Sequence, residues 1–579
     1  MNLVTLTIND QKVQVEQGTT VLDAAKKIGI DIPTLCYLED INAIGACRIC
    51  VVEVKGAKTL QASCVLPATE GMVVSTNTPA VRESRRTTLD LILSNHPMEC
   101  LTCIRNRNCE LQEMAEKFGI REVKYAGEHS YSDVDMSSPS LKRDPQKCVL
   151  CRRCVAVCEK VQTVSAIGPQ NRGFKTVIAP GLGASMLDSD CVTCGQCTLV
   201  CPTGALYEGD EIDQVWAALA DPQKHVVVQT APATRVSIGE PFGYEPGTVS
   251  TGKLVAALRR LGFDKVFDTN FSADLTIMEE GYEFIDRVKN NGVLPLISSC
   301  SPGWIKFIEH FYPQLLPNLS SCKSPQQMFG AIVKTYYAEK AGIDPKNIVC
   351  VSLMPCTAKK FEARRPEMRS SGYQDVDYVL TVRELARMIK QAGIDFVSLP
   401  EEDYDDPLGT STGAAVIFGV TGGVMEAALR TAYEVLTGET LQRVEFDAVR
   451  GLEGVKEAVV DVGGLKVRVA VANSLGCARR VLDTVVSGEK QYDFIEIMGC
   501  PSGCIGGGGQ PIPTNLEIRG RRMAGIYSAD ERSTIRKSHE NPAVKKLYEE
   551  FLGHPLGHKS HELLHTHYVA RGRYPGFKK

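Results

Sequence analysis

The placement of cysteine constrains this chain more than any other feature. Of its 22 cysteines, fifteen fall before residue 202, at intervals of two, three or a few residues. Spread over 579 residues they are too dilute for a disulfide-stapled scaffold. Bunched thiols of this kind read as metal ligands in a reducing compartment, which makes a cytoplasmic location the expectation. The start, MNLVTLTINDQKVQVEQG, alternates apolar and polar residues like a strand and is not expected to be a secretory signal. No apolar run reaches the length of a membrane span, so none is expected. The charge balance of 65 basic against 69 acidic residues leaves no excess for binding nucleic acid.

A chain of this length should divide into several domains. Residues 1–78 read as short strands and glycine turns. Residues 79–125 read as helical, with an amphipathic RRTTLDLILSNH and an ELQEMAEKFG that ends on glycine. The polar GEHSYSDVDMSSPSLKRD reads as a linker. Residues 139–209 hold two similar cysteine motifs 43 residues apart, an internal duplication. From 223 to 520, apolar strand-like runs (HVVVQTAP, VLPLISSC, NIVCVSLMPC, VRVAVANS, FIEIMGC) alternate with helical stretches (TGKLVAALRRLG, VRELARMIKQAG, GVMEAALRTAYEVL). That alternation predicts parallel α/β architecture. Residues 521–579 read as a separate helical segment with a basic tail. The expected fold class is thus multidomain α/β, with ferredoxin-like domains preceding a two-lobed α/β domain and a small helical end.

The first cysteine set is Cys36, Cys47, Cys50 and Cys64. A tight CxxC with two more distant thiols follows plant-type ferredoxin logic and suits a [2Fe–2S] cluster, although the first gap is longer than the usual four or so. The second is His96, Cys100, Cys103 and Cys109, three thiolates and one imidazole. Either a [4Fe–4S] cluster or Zn²⁺ suits such a set, and structural zinc is also the alternative for the first. The third is the most specific. Cys148, Cys151, Cys154 and Cys158, then Cys191, Cys194, Cys197 and Cys201, are two bacterial ferredoxin runs. In two-cluster ferredoxins the fourth cysteine of each run ligates the other cluster. Cys148, Cys151, Cys154 and Cys201 are therefore expected to hold one [4Fe–4S] cluster, and Cys158, Cys191, Cys194 and Cys197 the other. Centres in series make an electron conductor, which needs an inner end.

Seven cysteines remain, at 300, 322, 350, 356, 477, 500 and 504. Cys500 and Cys504 lie in FIEIMGCPSGCIGGGGQP, where a glycine run lets backbone approach something bulky. Neither this loop nor GVTGGVMEAALR presents a convincing dinucleotide fingerprint. Cys322, Cys350 and Cys477 have no partners at ligand spacing and read as small buried hydrophobes.

ISSCSPGW, LMPCTAKKFEARRPE and EIMGCPSGCIGGGGQP, in that order, resemble the three signatures of [FeFe]-hydrogenases. The cluster domains before them resemble those of complex I and of the long, multi-cluster hydrogenases. The likeness is closest to clostridial hydrogenases and to the catalytic subunits of NAD(P)-linked, electron-bifurcating ones. The helical end resembles that family's small subunit. The resemblance implies reversible interconversion of H₂ with protons and electrons at an H-cluster, a [4Fe–4S] cubane joined through a cysteine sulfur to a di-iron azadithiolate centre carrying CO and cyanide. The implied total is one [2Fe–2S] cluster, three accessory [4Fe–4S] clusters and the cubane. Cys356, Cys500 and Cys504 match cubane ligands, with Cys504 bridging. Lys359 matches the residue that bonds a cyanide, and Met354 and Met498 match residues packed on the di-iron unit. Glu280, Glu283 and Ser320 match a proton relay.

The first signature departs from the family pattern, in which two cysteines precede Pro-Gly-Trp: here the pair is Cys300 and Ser301. Three readings are open. Cys300 ligates the cubane through a backbone shift with Ser301 near the relay; Ser301 is a weak oxygen ligand; or the site is incomplete and its activity altered. The first is preferred, because thiolate is the better iron ligand. The expected partners are flavin and NAD(P)-binding subunits, ferredoxin and the H-cluster maturases. The rivals are an electron-transfer subunit like those of complex I or formate dehydrogenase, and a non-catalytic H₂-sensing or iron–sulfur assembly relative, which Ser301 keeps in play.

Overall fold

The computed structural model describes residues 2–573. Its larger part is built on two four-stranded sheets. In the first, Lys265–Asp268, His225–Thr230, Ile348–Met354 and Tyr378–Thr381 lie side by side, all parallel. Its central strands, HVVVQT and IVCVSLM, are β-branched and almost wholly buried, as strands covered on both faces must be. In the second, Leu296–Ile297, Phe494–Met498 and Leu465–Asn473 are parallel, and Val455–Val462 closes the edge antiparallel. The helices are set by local chemistry. Val382–Gln391, for example, starts at a capping box in which Thr381 and Glu384 satisfy each other's backbone N–H groups.

At the N-terminus a five-stranded sheet runs in the order Gln11–Glu16, Leu3–Ile8, Val73–Ser75, Val51–Val54, Gln61–Ala62. It packs on a helix, Val21–Lys27, where strands and turns alone were expected. The run VLDAAKK is short, and its helical period is visible only once Thr20 accepts the Asp23 N–H as N-cap. The helix Pro79–Leu93 follows from Thr78, its N-cap. The stretch read as a linker is more ordered than expected at its end: Leu141–Arg143 pairs antiparallel with Leu206–Glu208 and ties the two ends of the duplicated cysteine domain together. VLPLISSC supplies a strand only at Leu296–Ile297.

The C-terminal segment is not separate. Helix Leu516–Glu531 runs across the expected 520/521 boundary. Val544, Leu547, Tyr548, Leu552, Leu563 and Leu564 are buried in one core with Phe271, Leu275 and Phe329. Polar residues between these positions hid that packing from a reading of periodicity. Among the described residues no helix is long and apolar enough to cross a membrane.

Candidate active site and cluster sites

The three signatures meet because each sits just past the carboxyl end of a strand. Met354 ends one strand of the first sheet, with Pro355 and Cys356 following. Met498 ends a strand of the second, followed by Gly499 and Cys500. Leu296–Ile297, beside it, leads to Cys300. Crevices at strand carboxyl ends are where α/β folds bind ligands. Here the two sheets flank a cavity lined by Cys300, Ser301, Cys356, Cys500 and Cys504 together with Lys359, Met354 and Met498.

The charges around these thiols are informative. Burial pushes Cys504 up to about 12 and raises Cys300, Cys356 and Cys500. A buried thiolate needs a cation, and Lys359 is the one that faces this cavity. Its Nζ donates to the Cys300 carbonyl at 3.1 Å and to Glu362 Oε2 at 3.0 Å. Four sulfurs, one lysine and two buried methionines form a donor set suited to an iron–sulfur group and poor for hard cations.

Cys300 and Ser301 face different neighbours. The Cys300 thiol feels Glu280, Lys359 and Cys504. The Ser301 hydroxyl accepts the N–H of Gly499, next to Cys500, at 3.1 Å. Behind Cys300 runs a line of oxygen atoms. Glu280 is fully buried, with the Ser320 hydroxyl and the Ser299 N–H as its nearest hydrogen-bonding groups. Burial, then the nearby Glu283 carboxylate, raise its carboxyl to about 8. Ser320 Oγ donates to Glu283 Oε2 at 2.8 Å, and Glu283 meets Arg287 at 2.7 Å near the surface.

The first cysteine set and the two of the duplicated domain gather as well. Cys36, Cys47, Cys50 and Cys64 interact with one another through hydrogen-bonding and charge contacts. In the duplicated domain one cavity is lined by Cys148, Cys151, Cys154 and Cys201, and a second by Cys158, Cys191, Cys194 and Cys197. The fourth cysteine of each run thus faces the other run's cavity. The backbone repeats as well. Leu150 and Thr193 have φ of 53° and 58°, and Arg152 and Gly195 have 61° and 71°. Left-handed turns at matching positions let each loop curl its thiols inward. His96 is pushed down to about 4 by burial, and its Nδ1 has no hydrogen-bond partner. A neutral imidazole with a free buried nitrogen is ready to ligate a metal.

These sites abut in order. A Cβ on Gly508 would lie 2.4 Å from the Cys194 carbonyl oxygen, and one on Gly507 would lie 2.1 Å from that of Pro355. The glycine run therefore serves the close approach of the cysteine-rich domain to the catalytic cavity. Thr357 donates to the Thr193 carbonyl at 2.8 Å, and Gln162 to that of Gly499 at 2.9 Å. Further out, Cys109 Sγ lies 3.6 Å from the Pro202 carbonyl oxygen. The Asn42 amide donates to the carbonyls of both Cys36 and Cys151, at 2.7 and 3.1 Å. Two peripheral sets therefore flank one inner cavity.

Sequence reasoning missed several of these residues. Gln162 and Gln196 join domains hundreds of positions apart, with Gln196 donating to the Gly506 carbonyl at 2.8 Å, and no spacing marks them. Glu362 could have been found, because it stands one helical turn after Lys359. The turn GVTGG holds a side chain at its helix start: Glu496 accepts the N–H groups of Gly422 and Met425 at 2.6 and 2.7 Å. Cys322 and Cys350 are wholly buried, and Cys477 is partly buried.

Residues 224–508 match the C-terminal domain of the iron-only hydrogenase large subunit, and 516–571 the iron hydrogenase small subunit. Residues 1–79 match a 2Fe-2S cluster binding domain. Residues 85–124 match the iron–sulfur binding region of NADH-ubiquinone oxidoreductase G, and 147–205 a 4Fe-4S dicluster domain. The NADP-reducing hydrogenase subunit HndD of Solidesulfovibrio fructosivorans is 54% identical over 99% of this chain and 100% of its own length. Iron hydrogenase 1 of Clostridium pasteurianum is 44% identical over 97% and 99%. The solved [FeFe]-hydrogenase HydA1 from Chlamydomonas reinhardtii is 47% identical, covers 63% of this chain and 100% of its own, and superposes with a TM-score of 0.57.

Proposed function

This chain belongs to the [FeFe]-hydrogenase family, and from that premise we propose that its cavity holds an H-cluster through which H₂ and protons are interconverted reversibly. The chain is an oxidoreductase acting on H₂ and carries 2Fe-2S and 4Fe-4S binding domains. The observation that carries the reading is the single cavity lined by Cys356, Cys500 and Cys504 with Lys359, Met354 and Met498.

Cys356, Cys500 and Cys504 would hold the cubane, with Cys504 shared with the di-iron unit, and Lys359 would bond a cyanide. The group, when bound, supplies the making and breaking of the H–H bond. This chain's residues do the rest. The two methionines and the surrounding apolar wall keep the cavity dry, which strengthens every electrostatic contact inside it. Of the three readings of the first signature, the contacts support one the sequence did not prefer: Ser301 faces the cubane end and Cys300 the relay. Cys300 then exchanges protons with Glu280, held neutral at neutral pH, which passes them by way of Ser320 to Glu283, whose carboxylate the Arg287 guanidinium holds near the surface.

Electrons would travel through the Cys158/191/194/197 site, then the Cys148/151/154/201 site, then either the His96/Cys100/Cys103/Cys109 site or the Cys36/47/50/64 site. Assigned this way, the clusters number one [2Fe–2S] and three accessory [4Fe–4S]. The HndD relative's name, an NADP-reducing hydrogenase subunit, supports an NADP-linked partner. A flavin-carrying subunit, ferredoxin as the second carrier, maturases to build the cofactor and a cytoplasmic location are proposed alongside it on the family resemblance. The likeness to complex I belongs to residues 85–124 and not to the catalytic half.

The test is H₂-dependent reduction of a viologen by maturase-treated, anaerobic protein, with infrared spectra of the same sample. Activity with CO and cyanide bands supports the reading. Fully matured protein without those bands overturns the di-iron assignment.

A further inference from the structure

His565 lies beside the outer end of the relay, on the segment least expected to take part in the chemistry. Its backbone is pinned there. Residue 565 bridges Cys322 in antiparallel fashion, the Lys323 N–H donates to the Leu564 carbonyl at 2.8 Å, and the Thr566 N–H to that of Ser321 at 2.7 Å. Its ring is also fixed. Nδ1 and the Ser321 hydroxyl are 2.8 Å apart, and Nε2 is 3.0 Å from Glu279 Oε2. Glu279 is fully buried, which works to raise its carboxyl, but hydrogen bonds from His565, Tyr548 and the Leu556 N–H outweigh burial and hold it below the usual range. An anionic Glu279 fixes a proton on Nε2 and leaves Nδ1 to gain or lose the second one.

The surroundings connect this ring both inward and outward. A ring nitrogen of His565, Cys322 Sγ and a Glu283 oxygen all lie within 4.8 Å of one another, a gap that one water spans. Outward, the ring centroid of His561 is 4.3 Å away, and His561 is exposed. Glu283 itself is covered by Arg287, their side chains being 12% and 15% exposed, so its direct path to water is narrow.

We propose that His561 and His565 form a second proton port, which delivers protons from solvent to Glu283 and returns them during H₂ oxidation. His561 takes a proton from water and passes one to His565. The His565 imidazolium keeps Nε2–H on Glu279 and gives its Nδ1 proton, through Ser321 or a bridging water, to the Glu283 carboxylate. The charged and titratable groups facing the port are Glu279, Glu283 and Arg287 from the helix Thr269–Lys289, Cys322 from the adjoining strand-like segment, and Tyr548, His558 and His561 from the C-terminal segment. The inference rests on the relay reading given above.

The test compares holoenzyme with Glu283→Gln, His565→Gln and His561→Ala, following H₂ evolution with reduced methyl viologen between pH 6 and 9, with and without added imidazole. Cluster content and melting temperature are followed alongside. The port predicts that His565→Gln loses about tenfold in kcat, most of it restored by imidazole, because a relay residue contributes through proton transfer. His561→Ala, at an exposed site where folding is not at risk, should lose less and shift the pH profile in the same sense. Unchanged rates and pH profiles in both histidine variants, with Glu283→Gln impaired, overturn the port alone. An unimpaired Glu283→Gln overturns the relay and the port together.

Discussion

The Ser301 hydroxyl accepts the Gly499 N–H at 3.1 Å, and this bond separates the two residues of the unusual Cys300–Ser301 pair. It holds the Ser301 hydroxyl on the backbone N–H that precedes Cys500, while the Cys300 thiol feels Glu280, Lys359 and Cys504. The expected outcomes diverge accordingly. Cys300→Ser should keep the cubane's electron paramagnetic resonance signal and lose about a hundredfold or more in turnover, as removal of a proton-transfer group does. Ser301→Cys should keep activity and change the cubane signal, since thiolate replaces a hydroxyl beside iron. Loss of the cubane signal in Cys300→Ser would restore Cys300 as the ligand.

Glu280 gives a pH dependence. Its carboxyl sits at about 8, raised by burial and by Glu283. The folded state therefore binds this proton more tightly than the unfolded state. The stabilisation is complete below the ordinary carboxyl range and is lost as pH rises through about 8. Glu280→Gln cannot ionise, so its melting temperature should fall less between pH 6 and pH 9 than that of the parent. Its turnover should drop by about a hundredfold or more.

The crossed lining of the two ferredoxin cavities predicts which cluster each fourth cysteine serves. Cys201→Ser should perturb the cluster of Cys148, Cys151 and Cys154, and Cys158→Ser that of Cys191, Cys194 and Cys197. Reduction potentials resolved by spectroelectrochemistry check this. The reverse assignment of the two potentials would show that each run keeps its own fourth ligand.

Gly508 marks the junction between domains. The Cβ of Gly508→Ala would stand 2.4 Å from the Cys194 carbonyl oxygen, so the backbone has to part. Overpacking of this kind costs about 1–3 kcal/mol. H₂ evolution driven by a dye that feeds the peripheral clusters should slow, with cluster content unchanged.

Leu547 is fully buried in the core shared with Phe271 and Phe329. Leu547→Ala should cost about 2–5 kcal/mol. Because the segment is integral to the catalytic half, protease should attack both together in this variant. Release of the C-terminal segment alone, with the remainder intact, would show that it folds separately.

The cysteine sets proposed as cluster sites were legible in the sequence because an iron–sulfur site calls for cysteines at characteristic intervals, and spacing survives in one dimension. The alternation of buried strands and helices was equally visible, since runs such as FIEIM and HVVVQT are rich in large apolar and β-branched residues. What the sequence could not settle was any contact made across long separations. Gln162 reaching Gly499, Glu496 capping a glycine turn and His565 beside Ser321 join positions 74 to 337 residues apart. No periodicity encodes such a meeting, because it depends on how sheets and helices pack. The same is true of Cys300 and Ser301. Their order along the chain is plain, but that the Ser301 hydroxyl meets the Gly499 N–H, nearly two hundred positions away, is something only the folded chain brings about.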